Sequence, residues 1–417
     1  MIEDARRLST AAATRAADQA ARVSYGRLLA YLSARARDVA KAEDALADAF
    51  QAALKNWPAA GVPDNPEAWL LTAARRNLDH ATRHGKVRAE AAPALAWLQD
   101  EIAGRDGEVF PDERLKLLFV CAHPAIDAAA RAPLMLQTVL GLDAARIASA
   151  FLVSPAAMGQ RLVRAKTKIR DAGLRFAVPE PEDLSERLES VLDAIYAAYG
   201  SGWEDIAGAD ARQRGLTEEA IWLARLVVGL LPEQPEARGL LALMLYCESR
   251  KAARRTPEGA FVPLAEQDIA LWSRPMIDEA ERALAEAARL DRMGRFQLEA
   301  AIQSAHAQRA LIGATPWHGI AMLYEGLVRL SPTTGALVGR AAAVAQAQDA
   351  ATGLTLLDGI PTEATMNYQP YWALRGHLSQ RLGQSSEAIA AYRRAVGLTE
   401  DTAVRAFLLA QLAALTP

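Results

Sequence analysis

The sequence has few of the features that mark secreted, membrane-spanning or disulfide-stabilised proteins. Its 417 residues include two cysteines, Cys121 and Cys247, which form no CxxC pair and imply no disulfide framework. No apolar run reaches the ~18 residues that suggest a membrane span. The first twenty residues or so lack the apolar core of a secretory signal. We therefore expect a cytoplasmic protein that has no membrane partner.

Motifs of enzymes and metal sites are also missing. The sequence contains no GxGxxG, GxxxxGK[ST], HExxH or GxSxG. Cys121 and His123 lack a second pair of ligands, so we interpret them as core and capping residues. His80 and His84 have helical spacing, but their segment is basic and would repel a cation. We predict no catalytic residue, no metal and no cofactor; an enzyme remains a minor alternative.

Aromatic residues are scarce at 6%, whereas hydrophobic residues of all kinds make up 51% of the chain. An Ala- and Leu-rich sequence of this length predicts an all-α protein of two or three domains. Residues 1–180 carry 25 basic and 21 acidic side chains, and the remainder carries 22 and 29. A basic N-terminal part and an acidic C-terminal part indicate a nucleic-acid-binding module joined to a part that does not contact DNA.

The segment Arg131–Asp171 shows the pattern of a helix-turn-helix. Its spacing predicts three short helices, with Asp143 and Ser154 as N-caps and Pro155 at the first position of the last helix. Met158, Leu162, Ala165 and Ile169 form the apolar stripe of that helix. The opposite side is basic, since Arg161–Arg170 holds five basic residues and no acid. This is the arrangement in which a second helix enters the major groove, although a merely solvated basic face is the alternative.

The order of residues in this segment resembles that of a known family. The string AxxIAxAFxVSxxxMxQRLVRAKxKIR resembles region 4 of bacterial sigma factors of the extracytoplasmic-function (ECF) type, which reads the −35 promoter element. The preceding DERLKLLFVCAHPAI resembles the signature of the ECF subgroup with long C-terminal extensions. The resemblance implies −35 contacts from Ser154, Ala157, Gln160, Arg161, Arg164 and Lys168. Lys166 and Arg170 are expected to contact phosphates, as Lys168 also does.

A helix predicted at Lys41–Asn56 has an apolar face and a polar face. Its order, AEDALADAFQAAL, is similar to sigma region 2.2, which docks on the β′ clamp helices of RNA polymerase. The resemblance implies polymerase contacts from Asp44, Asp48 and Gln51. An ordinary amphipathic helix is the alternative on periodicity alone.

Trp57–Pro66 has the composition of a loop, with Asn65 as the cap of a helix from Pro66 to His84. GVPDNPEAWLLTAARRNLDH resembles sigma regions 2.3–2.4, which melt and read the −10 element. The resemblance implies −10 contacts from Asp64, Asn65, Trp69, Arg75, Arg76, His80 and Arg83. The chain departs from the family pattern at Arg76, where Asn is common, at His80, where Asp is common, and at Arg146, where Glu is common. Arg146 should make region 4 more basic.

The remaining segments are an acidic linker and a helical extension. The linker is either solvated or, as the resemblance favours, held in a basic channel of the partner. In the extension, Pro370–Ala395 has the intervals of a tetratricopeptide (TPR) repeat, and LLPEQPEARGLLALMLY and the EQDxxxW run at Glu266–Trp272 are shared with the extended subgroup. Stacked hairpins would offer a surface for a peptide or protein partner.

These features predict an ECF-type sigma factor. Its domains would be region 2 at residues 1–88, the linker at 89–110, region 4 at 111–177 and a TPR-like extension at 184–417 that regulates or supports activity. Its partners would be promoter DNA and core RNA polymerase, through the β′ clamp and the β flap. The rival hypothesis, motivated by the departures at Arg76 and His80, is a helical-repeat interaction scaffold whose sigma-like front is degenerate.

Overall fold

The computed structural model describes residues 2–84, 112–151, 153–203, 216–399 and 401–415. These residues form helices joined by loops, with one isolated β-bridge between Arg255 and Phe261 and no strand among them. The all-α prediction is therefore confirmed. The chain divides into two compact units, residues 1–202 with 212–219, and residues 203–211 with 220–417. This division lies later in the chain than the predicted start of the extension at residue 184.

The described helices of the first unit belong to one compact body, and residues 85–111, which the structure does not describe, divide them into two sets along the chain. The N-terminal module consists of α1 (Ile2–Ala36), α2 (Val39–Ala60) and α3 (Pro66–His84). The basic module consists of α4 (Arg114–Cys121), α5 (Ala128–Leu140), α6 (Ala144–Ala150) and α7 (Pro155–Asp171). Helix α8 (Pro181–Trp203) follows, and Arg187 on it donates a hydrogen bond to the Phe119 carbonyl at 3.0 Å. The predicted linker at residues 89–110 lies outside the described residues.

The N-terminal module is built around the apolar faces of its three helices. Leu28, Leu46, Trp57 and Leu70 are almost completely buried in its core. Trp69 packs partly buried against this core, and its ring meets the edge of Trp57 at a centroid distance of 5.5 Å. The apolar side of α3 therefore faces this core.

The loop predicted at Trp57–Pro66 is shorter than expected. Helix α2 continues to Ala60, although Pro58 lacks the N–H that an interior helical residue would donate. The buried indole of Trp57 anchors this last turn, and the Pro58 carbonyl accepts a hydrogen bond from the Ser9 hydroxyl at 2.5 Å. The helix ends at Gly61, whose φ of 90° is readily adopted only by glycine. Composition alone could not show that tertiary packing extends the helix through a proline.

The basic module has the three short helices that the sequence predicts at its C-terminal end. Asp143 accepts a hydrogen bond from the Arg146 amide at 2.9 Å, and Ser154 accepts one from the Ala157 amide at 3.2 Å. Both predicted N-caps are therefore confirmed. The predicted stripe of α7 is also confirmed, since its four residues, Met158, Leu162, Ala165 and Ile169, are all buried. Burial of one stripe leaves the other side of α7 toward solvent.

The second unit is a succession of paired helices. Its main helices, after α9 (Leu216–Leu230) crosses the division, are α10 (Pro235–Ser249), α11 (Arg274–Ala288), α12 (Arg295–Ala307), α13 (Arg309–Ile312), α14 (Trp317–Leu330), α15 (Thr334–Ala347), α16 (Ala350–Asp358), α17 (Thr362–Thr365), α18 (Gln369–Arg381), α19 (Ser385–Leu398) and α20 (Thr402–Ala413). Neighbouring pairs approach closely at small residues. A Cβ atom built on Gly239 of α10 would lie 2.6 Å from the Gln297 backbone nitrogen of α12.

The predicted repeat at Pro370–Ala395 is a hairpin of α18 and α19. A Cβ atom on Gly376 would lie 2.8 Å from the Tyr392 ring, so only glycine lets the two helices meet at this distance. Ala388, Tyr392 and Ala395 are buried in the same contact. The two helices therefore pack closely at these small residues.

The EQDxxxW run lies in a loop between α10 and α11. Gln267 and Trp272 are buried, and the Gln267 amide donates to the Val262 carbonyl at 3.3 Å. Asp268 caps a short 3-10 turn by accepting from the Ala270 amide at 2.9 Å. The guanidinium of Arg309 lies 6.0 Å from the Trp272 ring centroid and donates to the carbonyl of Gln267. This run therefore fixes the conformation of the loop.

Candidate nucleic-acid interface

Helix α7 presents a polar, basic face to solvent. Gln160, Arg164 and Lys168 are exposed and lie four residues apart, so they form one row along the helix. Ala157 is exposed one turn before this row. Guanidinium and amide groups can bind base edges in pairs of hydrogen bonds, and an ammonium can bind phosphate. The structure thus brings four of the six predicted −35 residues onto one accessible surface.

The other two predicted −35 residues also make structural contacts. The Ser154 hydroxyl is exposed but accepts the capping hydrogen bond of α7. Arg161 is half-buried, and its Nη1 donates to the Ala129 carbonyl at 3.3 Å, which ties α7 to the first turn of α5. Ser154 and Arg161 therefore fix the start and the orientation of α7.

The cations expected to contact phosphate are not equivalent. Lys168 is exposed, and Arg170 forms a hydrogen bond with neighbouring Asp171 at 2.8 Å. Lys166 is different, because its ammonium pairs with the Glu43 carboxylate of α2 and its side chain is only 10% exposed. In this structure Lys166 does not belong to the accessible basic face.

The predicted −10 residues are spread over several environments on α3 and the preceding loop. Asp64 is exposed, and Asn65 caps α3 as predicted by accepting from the Ala68 amide at 3.0 Å. Trp69 is half-buried in the core contact with Trp57. Arg76 is half-buried as well. The side chains of His80 and Arg83 lie outside the described residues.

Arg75 has a partner that the sequence did not indicate. Its Nη2 donates to the Tyr31 hydroxyl of α1 at 2.6 Å, and its guanidinium lies 5.3 Å from the centroid of that ring. Stacking on an aromatic ring and a hydrogen bond together hold the guanidinium in place. Arg75 therefore connects α3 to α1 within the N-terminal module.

The predicted polymerase contacts share one side of α2. Asp44, Asp48 and Gln51 are exposed and spaced four and three residues apart, so they lie on neighbouring turns of one face. Lys55 donates to Gln51 at 3.1 Å and extends this polar row. The row is acidic at its N-terminal end and suits a basic partner surface.

Arg146 does not add a free cation to the basic module. Its Nη2 lies 2.7 Å from the Glu219 carboxylate, and the two side chains are 32% and 21% exposed. Burial raises the pKa of Glu219, and the positive charge of Arg146 opposes that change. The expectation that Arg146 makes the module more basic is therefore offset by an acid 73 positions later in the chain.

A buried polar junction between the two modules is the feature that the sequence did not reveal. It contains Glu43 of α2, Lys166 of α7, Tyr25 of α1 and Cys121 of α4. Burial raises the pKa of Glu43, and Lys166 lowers it in part. Burial also raises the pKa of the Cys121 thiol to about 12, and this thiol lies 3.4 Å from the Thr138 hydroxyl. No local signal in the sequence joins residues so far apart.

The described residues contain no group of three or more His, Cys, Asp or Glu side chains that could hold a metal ion. None of the helices described is both long and apolar enough to cross a membrane.

Comparison with known proteins relates this chain to two groups. Residues 187–288 match a family of unknown function (DUF6596), and this match extends from α8 to α11. Over 395 residues the chain is 39% identical to "Uncharacterized protein R00370" of Rhizobium meliloti (strain 1021), covering 93% of this chain and 92% of that protein. The chain therefore belongs to the same family as this Rhizobium protein.

Proposed function

We propose that the chain is an ECF-type sigma factor that directs promoter-specific initiation by core RNA polymerase. In this proposal α7 reads the −35 element, and the N-terminal module docks on the polymerase and opens the −10 element. The observation that carries the proposal is the exposed row of Gln160, Arg164 and Lys168 on a helix whose opposite side is buried. This is the orientation that base reading from a second helix requires.

Three further observations support the proposal. The exposed polar row of α2 belongs to the same unit as α7, so one compact body carries a face for DNA and a face for a protein. The cap at Ser154 gives α7 a defined N-terminus, from which the helix would enter a groove. In the second unit, the α18–α19 hairpin supports a TPR-like extension that would bind a peptide or protein and regulate the front of the chain.

The test is transcription in vitro with the full-length chain and core RNA polymerase on a set of genomic promoter fragments. The expected result is initiation from specific fragments that depends on the added chain. Arg164→Ala should weaken this initiation by roughly 10-fold, since a guanidinium that reads a base contributes ~1–3 kcal/mol of discrimination. Arg175→Ala is the matched control, because Arg175 is exposed but lies beyond the end of α7.

Absence of specific initiation from every fragment would contradict the proposal. If the chain then still forms a stable complex with a protein partner, it would be the interaction scaffold whose sigma-like N-terminal part is degenerate.

Lys168→Ala adds an independent check on DNA binding. It should weaken binding to all sequences alike and reduce the slope of log affinity against log salt by about one phosphate contact.

A further inference from the structure

The charged contact between α2 and α7 carries a further inference. Along α7, Arg164 and Lys168 are exposed, whereas Lys166 between them turns to Glu43 of the other module. The paired side chains are 10% and 18% exposed. One cation of the candidate DNA-binding helix is thus withheld from the surface by an acid of the helix that carries the polar row.

The backbones of the two modules also meet closely, between α1 and α5. A Cβ atom on Gly26 of α1 would lie 1.9 Å from the Val139 carbonyl oxygen of α5. Only glycine allows this approach, because any side chain would push α1 and α5 apart. The closed arrangement of the modules therefore depends on a backbone contact as well as on the ion pair.

The surroundings of Glu43 make the pair easy to disrupt. Glu43 faces Tyr25 from α1, Asp44 on its own helix, Cys121 from α4 and Lys166 from α7. Its Oε1 is buried and accepts no hydrogen bond among the described residues. Burying two charges removes water from both, and this cost nearly cancels their attraction unless every polar atom is satisfied. Such an ion pair selects one arrangement of the two modules but adds little to the free energy that holds them together.

We propose that Glu43 and Lys166 form a latch that holds the two modules closed and keeps the Lys166 ammonium from DNA. Separation of α2 from α7, for example when a protein binds the row of Asp44, Asp48 and Gln51 beside Glu43, releases this ammonium. The freed ammonium faces away from the row of Gln160, Arg164 and Lys168, because residues two apart do not share a face of a helix, and it can bind a phosphate on that other side. The consequence for DNA rests on the proposed function, whereas the latch itself is a property of the chain alone.

The latch is tested by measuring the distance between α2 and α7 in the full-length chain. Ala47→Cys and Val163→Cys place spin labels on exposed positions of the two helices, and the native cysteines, Cys121 and Cys247, are buried. Lys166→Met leaves the Glu43 carboxylate buried without its partner. The ratio of open to closed molecules should therefore rise about 10-fold or more. Glu43→Gln is a second variant that should also open the chain.

Restoration of the closed state distinguishes a latch from general loss of structure. Replacement of both partners by apolar residues, Glu43→Leu with Lys166→Met, should return the distance to that of the original chain, since an apolar pair costs no desolvation of charge. Lys168→Met is the matched control, because it removes an exposed cation from the same helix and should leave the distance unchanged.

Two outcomes would overturn the latch: an unchanged distance in both Lys166→Met and Glu43→Gln, or a double variant as open as the single ones. Transcription by the same proteins separates this result from failure of the proposed function. If the distances behave as expected and no variant initiates, the latch stands and the sigma proposal fails. If the original chain initiates and the distances do not change, the sigma proposal stands and the latch fails.

Discussion

The first unit has an ion pair buried between its two modules, whereas the long-range ion pairs described in the second unit, including Arg255 with Asp401, are more exposed. Lys166 and Glu43 are 10% and 18% exposed. In the second unit, Glu279 opposite Arg225 is 33% exposed and Asp358 opposite Arg375 is 50% exposed. Exposed pairs contribute ~0–1 kcal/mol and can be lost without consequence, but a buried pair that loses one partner leaves an uncompensated charge.

Glycine contacts show the same difference. In the second unit Gly239 and Gly376 let successive helices pack closely against each other. In the first unit Gly26 lets α1 meet α5, but the N-terminal module and the basic module each bury apolar residues of their own. A side chain added at one of these glycines should therefore unfold the second unit, whereas in the first unit it should separate the two modules without unfolding them.

The largest expected effect comes from overfilling a helix contact in the second unit. Gly239→Val would place side-chain atoms against the Gln297 backbone, and we expect a loss of about 3 kcal/mol in the free energy of unfolding of this unit. Denaturant unfolding measures it. Gly229→Ala is the control, since nothing lies within 4 Å of its Cβ position, and alanine should stabilise that helix by about 0.5–1 kcal/mol. Equal stability of both variants would show that the contact is not tight.

The second prediction concerns the pH dependence of the second unit. Burial, aided by the positive charge of Arg250, lowers the pKa of His306 to about 4. The unfolded chain takes up a proton near the ordinary histidine pKa of ~6.5, so the folded unit is fully stable above that pH and loses stability as the pH falls toward 4. We expect a loss of about 2 kcal/mol over this range.

Thermal unfolding at successive pH values measures this loss, and His306→Gln should reduce it. His318→Gln is the control, because His318 is exposed on α14. If the stability depends on pH in the same way with and without His306, the prediction is wrong and other titratable groups cause the loss of stability at low pH.

The third prediction tests whether the first unit opens rather than unfolds. Gly26→Ala adds a Cβ atom at the Val139 carbonyl, and we expect the closed arrangement to lose about 1–2 kcal/mol. Alanine should at the same time favour the helical state of α1 by about 0.5–1 kcal/mol. Spin labels on α2 and α7 should therefore move apart while the helical circular dichroism is retained. Gly159→Ala is the control, because its Cβ position has no neighbour within 4 Å. If Gly26→Ala loses helical circular dichroism and Gly159→Ala does not, the expectation that the modules separate without unfolding is wrong.

The smallest effect concerns the N-terminus of α7. Ser154→Ala removes the hydroxyl that accepts from the Ala157 amide, and we expect the helix to lose about 1 kcal/mol. Amide hydrogen exchange in the first turn of α7 should become faster. Ser154→Asp retains an acceptor and should exchange at nearly the original rate. Equal exchange in all three proteins would mean that the cap does not limit opening of this turn.

Local sequence patterns predicted the elements of the candidate interface well. The caps at Asn65, Asp143 and Ser154 and the buried stripe of α7 follow from signals within a few residues of each other. The continuation of α2 through Pro58 could not be predicted in this way, because it depends on burial of Trp57 against other helices. The roles of Arg75, Arg146 and Lys166 were equally hidden, since each pairs with a residue distant in sequence.

The sequence by itself determined that the chain is helical, where the helices of the basic module begin and which side of α7 is buried. Helical periodicity and capping act over one or two turns, so they can be read from adjacent letters. Only the tertiary structure decided which cations of α7 are accessible. Glu43 and Lys166 lie 123 positions apart, and their pairing depends on the approach of α2 to α7. Charge counts along the chain contain no information about that approach.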